Sequence, residues 1–138
     1  MLMNNYSRAD VGFVRGDGAI LWDDSGKDYI DFASGIGVCA LGHSHKGVAK
    51  IISKQAKTLL HTSNLYNIAP QTRLANKSTN LLGGEYELFF ANSGAEANEC
   101  AIKLARKYGY SNGKKSEIIS LKNSFHGRTI ATLAMTGQ

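Results

Sequence analysis

Phe89-Phe90-Ala91-Asn92-Ser93-Gly94-Ala95-Glu96-Ala97 is the stretch on which the reading of the fold turns. Leu88-Phe89-Phe90 within Glu87 to Ala91 is a short apolar run suited to a buried strand. Asn92-Ser93-Gly94 breaks it, and a helix is predicted from Ala95 to about Tyr108. The small side chains let an anion come close to the chain. The backbone N–H groups of the helix start and the positive end of its dipole would bind that anion. An ordinary N-cap explains the same residues, with Ser93 capping and Glu96 at the third position completing a capping box. Spacing alone leaves both readings open.

Downstream, the helix carries Ala97, Ala101 and Ala105 on one face, with Glu96 and Glu99 early and Lys103, Arg106 and Lys107 late. The dipole favours that order, and Glu99 and Lys103 form an i,i+4 pair. Ile118-Ile119-Ser120-Leu121 reads as the next strand, so strand, helix and strand make a βαβ-like unit and the second half is α/β. After it comes Phe125-His126-Gly127-Arg128, at the end of a strand where α/β folds place ligands. Phe offers a flat face to a ring, and Arg is a two-pronged binder of carboxylates. Taken alone, these residues read better as a core aromatic, a turn histidine and a solvated arginine. The chain reaches Gln138 within the apolar stretch Ile130 to Met135, with no cap or terminator, and is expected to be the front part of a longer protein.

Upstream, Phe13-Val14-Arg15, Ala19-Ile20-Leu21-Trp22 and Asp28-Tyr29-Ile30-Asp31-Phe32 alternate with Gly16-Asp17-Gly18 and Asp24-Ser25-Gly26-Lys27. Short runs between such turn signals predict a three-stranded meander. Ser34 to His45 is a glycine-rich connection. Val48, Ile51, Ile52, Leu59 and Leu60 recur at helical spacing from Lys46 to about His61, with lysines on the other face. A second helix is expected from Pro70 to Gly83-Gly84. Gly35-Ile36-Gly37-Val38-Cys39-Ala40 fits G-x-G-x-x-[GA], but the acidic residue that a dinucleotide fold needs about 20 positions on is missing. Ala33 to Gly84 contains no Asp or Glu at all, and the residues after Ala40 do not open a helix cleanly.

The 138 residues are 43% hydrophobic and 20% charged, enough to build a core and unlike a disordered chain. The net charge of +5 is concentrated in Lys46, Lys50, Lys54, Lys57, Arg73 and Lys77. No nucleic-acid fold motif accompanies them, so a solvated helix face is the reading taken and no nucleic-acid partner is expected. No signal peptide and no window of about 18 apolar residues is visible, so no membrane partner is expected. Cys39 and Cys100 lack metal or redox spacing and suit reduced thiols of the cytoplasm. His43 and His45 have no ligand cluster around them, and no G-x-S-x-G elbow occurs.

Several ordered segments together resemble the class III aminotransferases, which depend on pyridoxal 5'-phosphate (PLP) and have PLP fold type I, the aspartate aminotransferase-like α/β fold. They are Gly18-Ala19-Ile20-Leu21-Trp22-Asp23-Asp24-Ser25-Gly26-Lys27-Asp28-Tyr29-Ile30-Asp31-Phe32, Ala40-Leu41-Gly42-His43 and His61-Thr62-Ser63-Asn64-Leu65-Tyr66. Asn92 to Glu99, Lys103 to Lys107 and Ser124 to Thr129 complete the set. Residues 1–65 would then be an N-terminal segment belonging to the small domain, and 66–138 the beginning of the large PLP-binding domain.

The resemblance implies that Ser93, Gly94 and Ala95 hold the cofactor phosphate, that Phe125 stacks on the pyridine ring, and that Arg128 holds the substrate carboxylate. It also places the Schiff-base lysine, and the Asp facing the pyridine nitrogen, beyond Gln138, so no catalytic residue is assigned within the chain and the chain alone is expected to be inactive. Within the family, Ala40-Leu41-Gly42-His43 and Phe125-His126-Gly127-Arg128 look most like the acetylornithine-specific members of arginine biosynthesis, and the apolar Ile36 suits an acylated amine. Succinyldiaminopimelate, succinylornithine and ornithine are substrates of close relatives. Two positions depart from the pattern: Lys46 stands where proline is usual, and Cys39 where asparagine is common. The implied partners are an amino donor, 2-oxoglutarate and a second copy of the chain in a homodimer.

Overall fold

A computed structural model describes residues 2–113 and 117–137. Two compact units appear, Met1–Tyr66 and Asn67–Gln138.

The first unit is built on a three-stranded antiparallel sheet of order β1-β2-β3. β1 is Phe13–Asp17, β2 Ile20–Asp23 and β3 Asp28–Ile30, the meander that the turn signals predict. The register pairs Arg15 with Trp22 and Leu21 with Tyr29, after an irregularity between Phe13 and Arg15. The Arg15 guanidinium lies 3.5 Å from the centre of the Trp22 ring, so this pair is a cation–π contact as well as a ladder partner. Asp23 ends β2 and organises the turn. One carboxylate oxygen accepts from Ser25 N, Ser25 Oγ and Lys27 N at 2.7–2.9 Å, and the other accepts from Tyr29 Oη at 2.9 Å.

The glycine-rich connection begins with α1, Ser34–Gly37, a single turn rather than a regular helix. Ser34, Gly35, Ile36 and Gly37 all have φ between +48° and +80°, the left-handed region. For Ser34 and Ile36 this costs about 1 kcal/mol or more each, a cost met by local contacts. Asp31 meets part of it by accepting from Ala33 N and Ser34 N, both at 2.9 Å. Further on, His43 pairs its backbone N–H and C=O with Gly18 (2.8 and 3.1 Å). Gly42, at φ +84°, passes so close to Gly18 that a Cβ would lie 3.0 Å from its Cα. His45 is the N-cap of α2, Lys46–Thr58, its Nδ1 accepting from Val48 N at 3.3 Å. α2 stops three residues short of the expected end, because Leu59 turns to an extended backbone.

In the second unit α3 is Ala69–Leu81, with Pro70 in its first turn and Gly83 and Gly84 in positive φ just after it. α4 is Gly94–Ser111, longer at both ends than the periodicity predicts, and α5 is Ile130–Met135. The strands predicted at 87–91 and 118–121 do not form, and no βαβ ladder exists among the described residues. An apolar run expresses a tendency to be buried, but a strand needs a neighbour for its N–H and C=O groups, and these two runs do not pair. Phe89 is 67% exposed and Ile119 94%. No hydrophobic side chain among the described residues is buried, so each unit is held by turns, caps and polar locks rather than by a closed apolar core.

Candidate functional site

The start of α4 is capped as expected, and its geometry is compatible with the anion reading as well. Ser93, in an extended conformation, caps the helix, and its Oγ accepts from Glu96 N at 3.2 Å. Glu96 reaches back so that its Oε2 accepts from Asn92 N at 2.6 Å. A capping box would return this bond to Ser93 N; here it goes one residue earlier, so only the Ser93 half of the box forms and Glu96 ties down Asn92 instead. Ala97 N donates to Ser93 O as the first turn closes. The cap therefore uses the N–H groups of Asn92 and Glu96 and leaves those of Gly94 and Ala95 unused among the described residues. A Cβ built on Gly94 would meet nothing within 4 Å, so the space before this backbone is open to an incoming group.

Phe125-His126-Gly127-Arg128 lies against the same helix start. Gly127 is buried at φ +134°, where a Cβ would come within 2.6 Å of Thr132 Oγ1 and 2.7 Å of Ala95 Cβ, so only glycine fits. A cleft of about 510 Å³ is lined by Gly94, Ala95, Asn98, Phe125, His126, Gly127, Arg128 and Thr129. Four of the five residues implicated from sequence thus share one cleft. Ser93 stands behind it as the cap and is not part of its wall. The Arg128 guanidinium lies 5.2 Å from the centre of the Phe125 ring, so the cation and the aromatic face are neighbours. The donor chemistry of this wall, two N–H groups at a helix start, an aromatic face and a guanidinium, fits a phosphate, a planar ring and a carboxylate.

Sequence reasoning gave no role to Asn98, Thr132 or Thr136. Asn98 Nδ2 donates to His126 O at 2.8 Å, and Thr136 Oγ1 accepts from His126 N at 3.1 Å. Asn98 was visible only as part of the Asn92 to Glu99 segment. Thr132 lies within the apolar stretch Ile130 to Met135 and Thr136 directly after it. A larger groove of about 920 Å³ runs beside Phe89, Phe90, Cys100 and Ile102. Its exposed wall is mainly apolar, with Glu96, Glu99, Lys103, Arg106 and Lys107 also lining it.

In the first unit, His43 Nε2 donates to Asp31 Oδ2 at 2.6 Å. His43, with the N–H donors of Ser34 and Ala33, holds the Asp31 carboxyl below the usual carboxylate range. Asp23 is likewise lowered, by the Ser25 hydroxyl first, against a burial effect that raises it, and with help from Tyr29. A small cleft of about 160 Å³ borders Asp31, Ser34, Cys39 and His43. No group of three or more His, Cys, Asp or Glu residues able to hold a metal ion occurs among the described residues. No helix among them is long and apolar enough to cross a membrane.

Solved transaminases share this architecture. An aminotransferase of Bacillus anthracis superposes with a TM-score of 0.92 at 34% identity, over 100% of this chain and 32% of its own. The N-acetylornithine aminotransferase of Stenotrophomonas maltophilia superposes with a TM-score of 0.80 at 42% identity, over 88% of this chain and 34% of its own. The fold is accordingly an N-terminal portion of PLP fold type I. The aminotransferase class-III family model matches residues 2–138, and the chain belongs to that family of PLP-dependent proteins. Acetylornithine aminotransferases of Wolinella succinogenes and Aquifex aeolicus are 56% and 52% identical to it, each over 99% of this chain. The chain spans about a third of the length of these curated relatives, 36% and 37%.

Proposed function

We propose that the intact protein transfers the amino group of N-acetylornithine to 2-oxoglutarate with PLP, a step of arginine biosynthesis, as a cytoplasmic homodimer. The carrying observation is the shared cleft of Gly94, Ala95, Phe125 and Arg128 at the start of α4. The names of the relatives at 50–56% identity support the choice of donor. Residues 1–65 contribute to the small domain in this reading, and 66–138 begin the large one.

PLP supplies an electron sink for the amino-acid Cα when it is bound. The chain's own residues bind and orient. Gly94 and Ala95 donate their N–H groups to the phosphate, with the α4 dipole adding attraction, while Ser93 holds the helix start in shape and retains its own hydroxyl proton for donation. Phe125 offers its face to the pyridine ring. Arg128 grips the carboxylate of the amino acid with its planar fork. Proton transfer and covalent attachment belong to the lysine expected beyond Gln138, so residues 1–138 alone should give no turnover above free PLP.

The test is glutamate formation by the intact protein with 2-oxoglutarate and a panel of amino donors. Acetylornithine should exceed ornithine by at least about tenfold in kcat/KM, the scale on which one buried charge or polar group is discriminated. Preference for succinyldiaminopimelate, succinylornithine or ornithine would move the assignment within the family. No PLP-dependent turnover with any of them would end it.

A further inference from the structure

The loop that carries Phe125 and Arg128 has no helix or strand of its own, yet every turn of it is tied down within the second unit. Asn98, one turn into α4, donates Nδ2–H to His126 O at 2.8 Å. On the other side, Thr136 Oγ1 accepts from His126 N at 3.1 Å. The same hydroxyl lies 3.0 Å from Thr132 O and 3.3 Å from Gly127 O, and its single proton goes to one of them. His126 thus has its N–H fixed to one element and its C=O to another.

Beyond the loop a second lock follows. Thr129 Oγ1 donates to Glu99 of α4. With its proton there, its oxygen can accept from Thr132 Oγ1, 2.7 Å away. Thr132 Oγ1 also accepts from Thr129 N at 3.1 Å, and the Thr132 residue is fully buried. Thr129 O lies 3.2 Å from the same Thr132 hydroxyl, whose single proton goes either there or to Thr129 Oγ1. Asn98 and Glu99 are consecutive residues of α4. The helix that offers Gly94 and Ala95 to an anion also clamps both ends of the Gly127-Arg128 step.

We propose that Asn98 and Thr136 are positioning residues, which fix the Phe125–Arg128 loop in register with the Gly94-Ala95 helix start. What the loop binds rests on the function proposed above; the lock itself rests on these hydrogen bonds. A side chain in a fixed place binds its ligand without the cost of being ordered at that moment. Loosening the loop should therefore weaken the hold on the amino donor more than it slows the bound complex.

Thr136→Val in the intact protein removes the hydroxyl at nearly constant volume, and Thr136→Ser restores it. Amide hydrogen exchange and steady-state kinetics are measured on both variants and the wild type. In Thr136→Val, exchange over residues 125–129 should speed up about fivefold while the middle of α4 is unchanged, the scale of one lost hydrogen bond. KM for the amino donor should rise about fivefold with kcat within about twofold, and Thr136→Ser should return both. Asn98→Ala should give the same pattern. Unchanged exchange in the loop overturns the proposal, as does a fall in active fraction with KM unmoved. If the wild type turns over no amino donor but the loop exchange still responds, the proposed function fails and the lock stands.

Discussion

Two glycine-rich segments follow apolar runs in this chain, and they use their backbone donors in opposite ways. At Ser34–Gly37 the chain enters four consecutive left-handed residues, and the Asp31 carboxylate accepts from Ala33 N and Ser34 N. The chain's own carboxylate fills the place that a bound anion would need. At Ser93–Ala95 the chain enters a right-handed helix, and Ser93 and Glu96 satisfy the outer donors while leaving those of Gly94 and Ala95. Glycine content is common to both. The difference lies in whether a helix begins and which donors its cap consumes, so a glycine pattern without a helix start is not a phosphate site.

The contrast can be broken on either side. Gly127→Ala should have the largest effect and only on the second region, since a Cβ there meets Thr132 Oγ1 and Ala95 at 2.6–2.7 Å on a left-handed backbone. A loss of about 3 kcal/mol in denaturant unfolding of the intact protein is expected, together with loss of PLP binding. Ser93→Ala should cost about 1 kcal/mol, the usual worth of an N-cap, and weaken PLP binding only modestly, because Gly94 and Ala95 keep their N–H groups. A collapse of binding in that variant would mean that Ser93 is itself a principal phosphate ligand.

Acid should produce the smallest effect, and on the first region. Asp23 and Asp31 have lowered pKa values in the folded chain. Their contribution is therefore fully present above the unfolded carboxylate pKa of about 3.9, and is lost as pH falls through the lower folded values. Amide exchange over residues 13–43 should accelerate below about pH 4, and Asp31→Asn should flatten that dependence. Acceleration confined to residues 94–137 would contradict the assignment.

Much of the second region was legible because helix starts are written locally. Ser93, Glu96 and the dipole-ordered charges of α4 lie within a few residues of one another. The three-stranded meander was legible for the same reason, since its turns announce themselves through Asp and Gly. The failures were non-local. Leu88-Phe89-Phe90 and Ile118-Ile119 have the composition of strands, but pairing is decided by what lies alongside, which no run of residues states. Thr132 sits within the apolar stretch Ile130 to Met135 and Thr136 just after it, and a hydroxyl there declares no partner until the loop folds back on it. The resemblance of ordered motifs, rather than periodicity, brought Phe125 and Arg128 to the same site as Gly94 and Ala95.

The most direct test of the central claim removes one backbone donor and nothing else of chemical consequence. Gly94 is the first residue of α4, where proline is well tolerated; Ser93 before it is extended, as proline requires, and the space at Gly94 is open. Binding of PLP and of pyridoxal, which lacks the phosphate, is measured by equilibrium dialysis on intact wild type and Gly94→Pro. If the α4 start holds the phosphate, PLP affinity falls at least about tenfold while pyridoxal affinity and melting temperature scarcely move. An equal loss for both ligands, or no loss for either, would contradict the account.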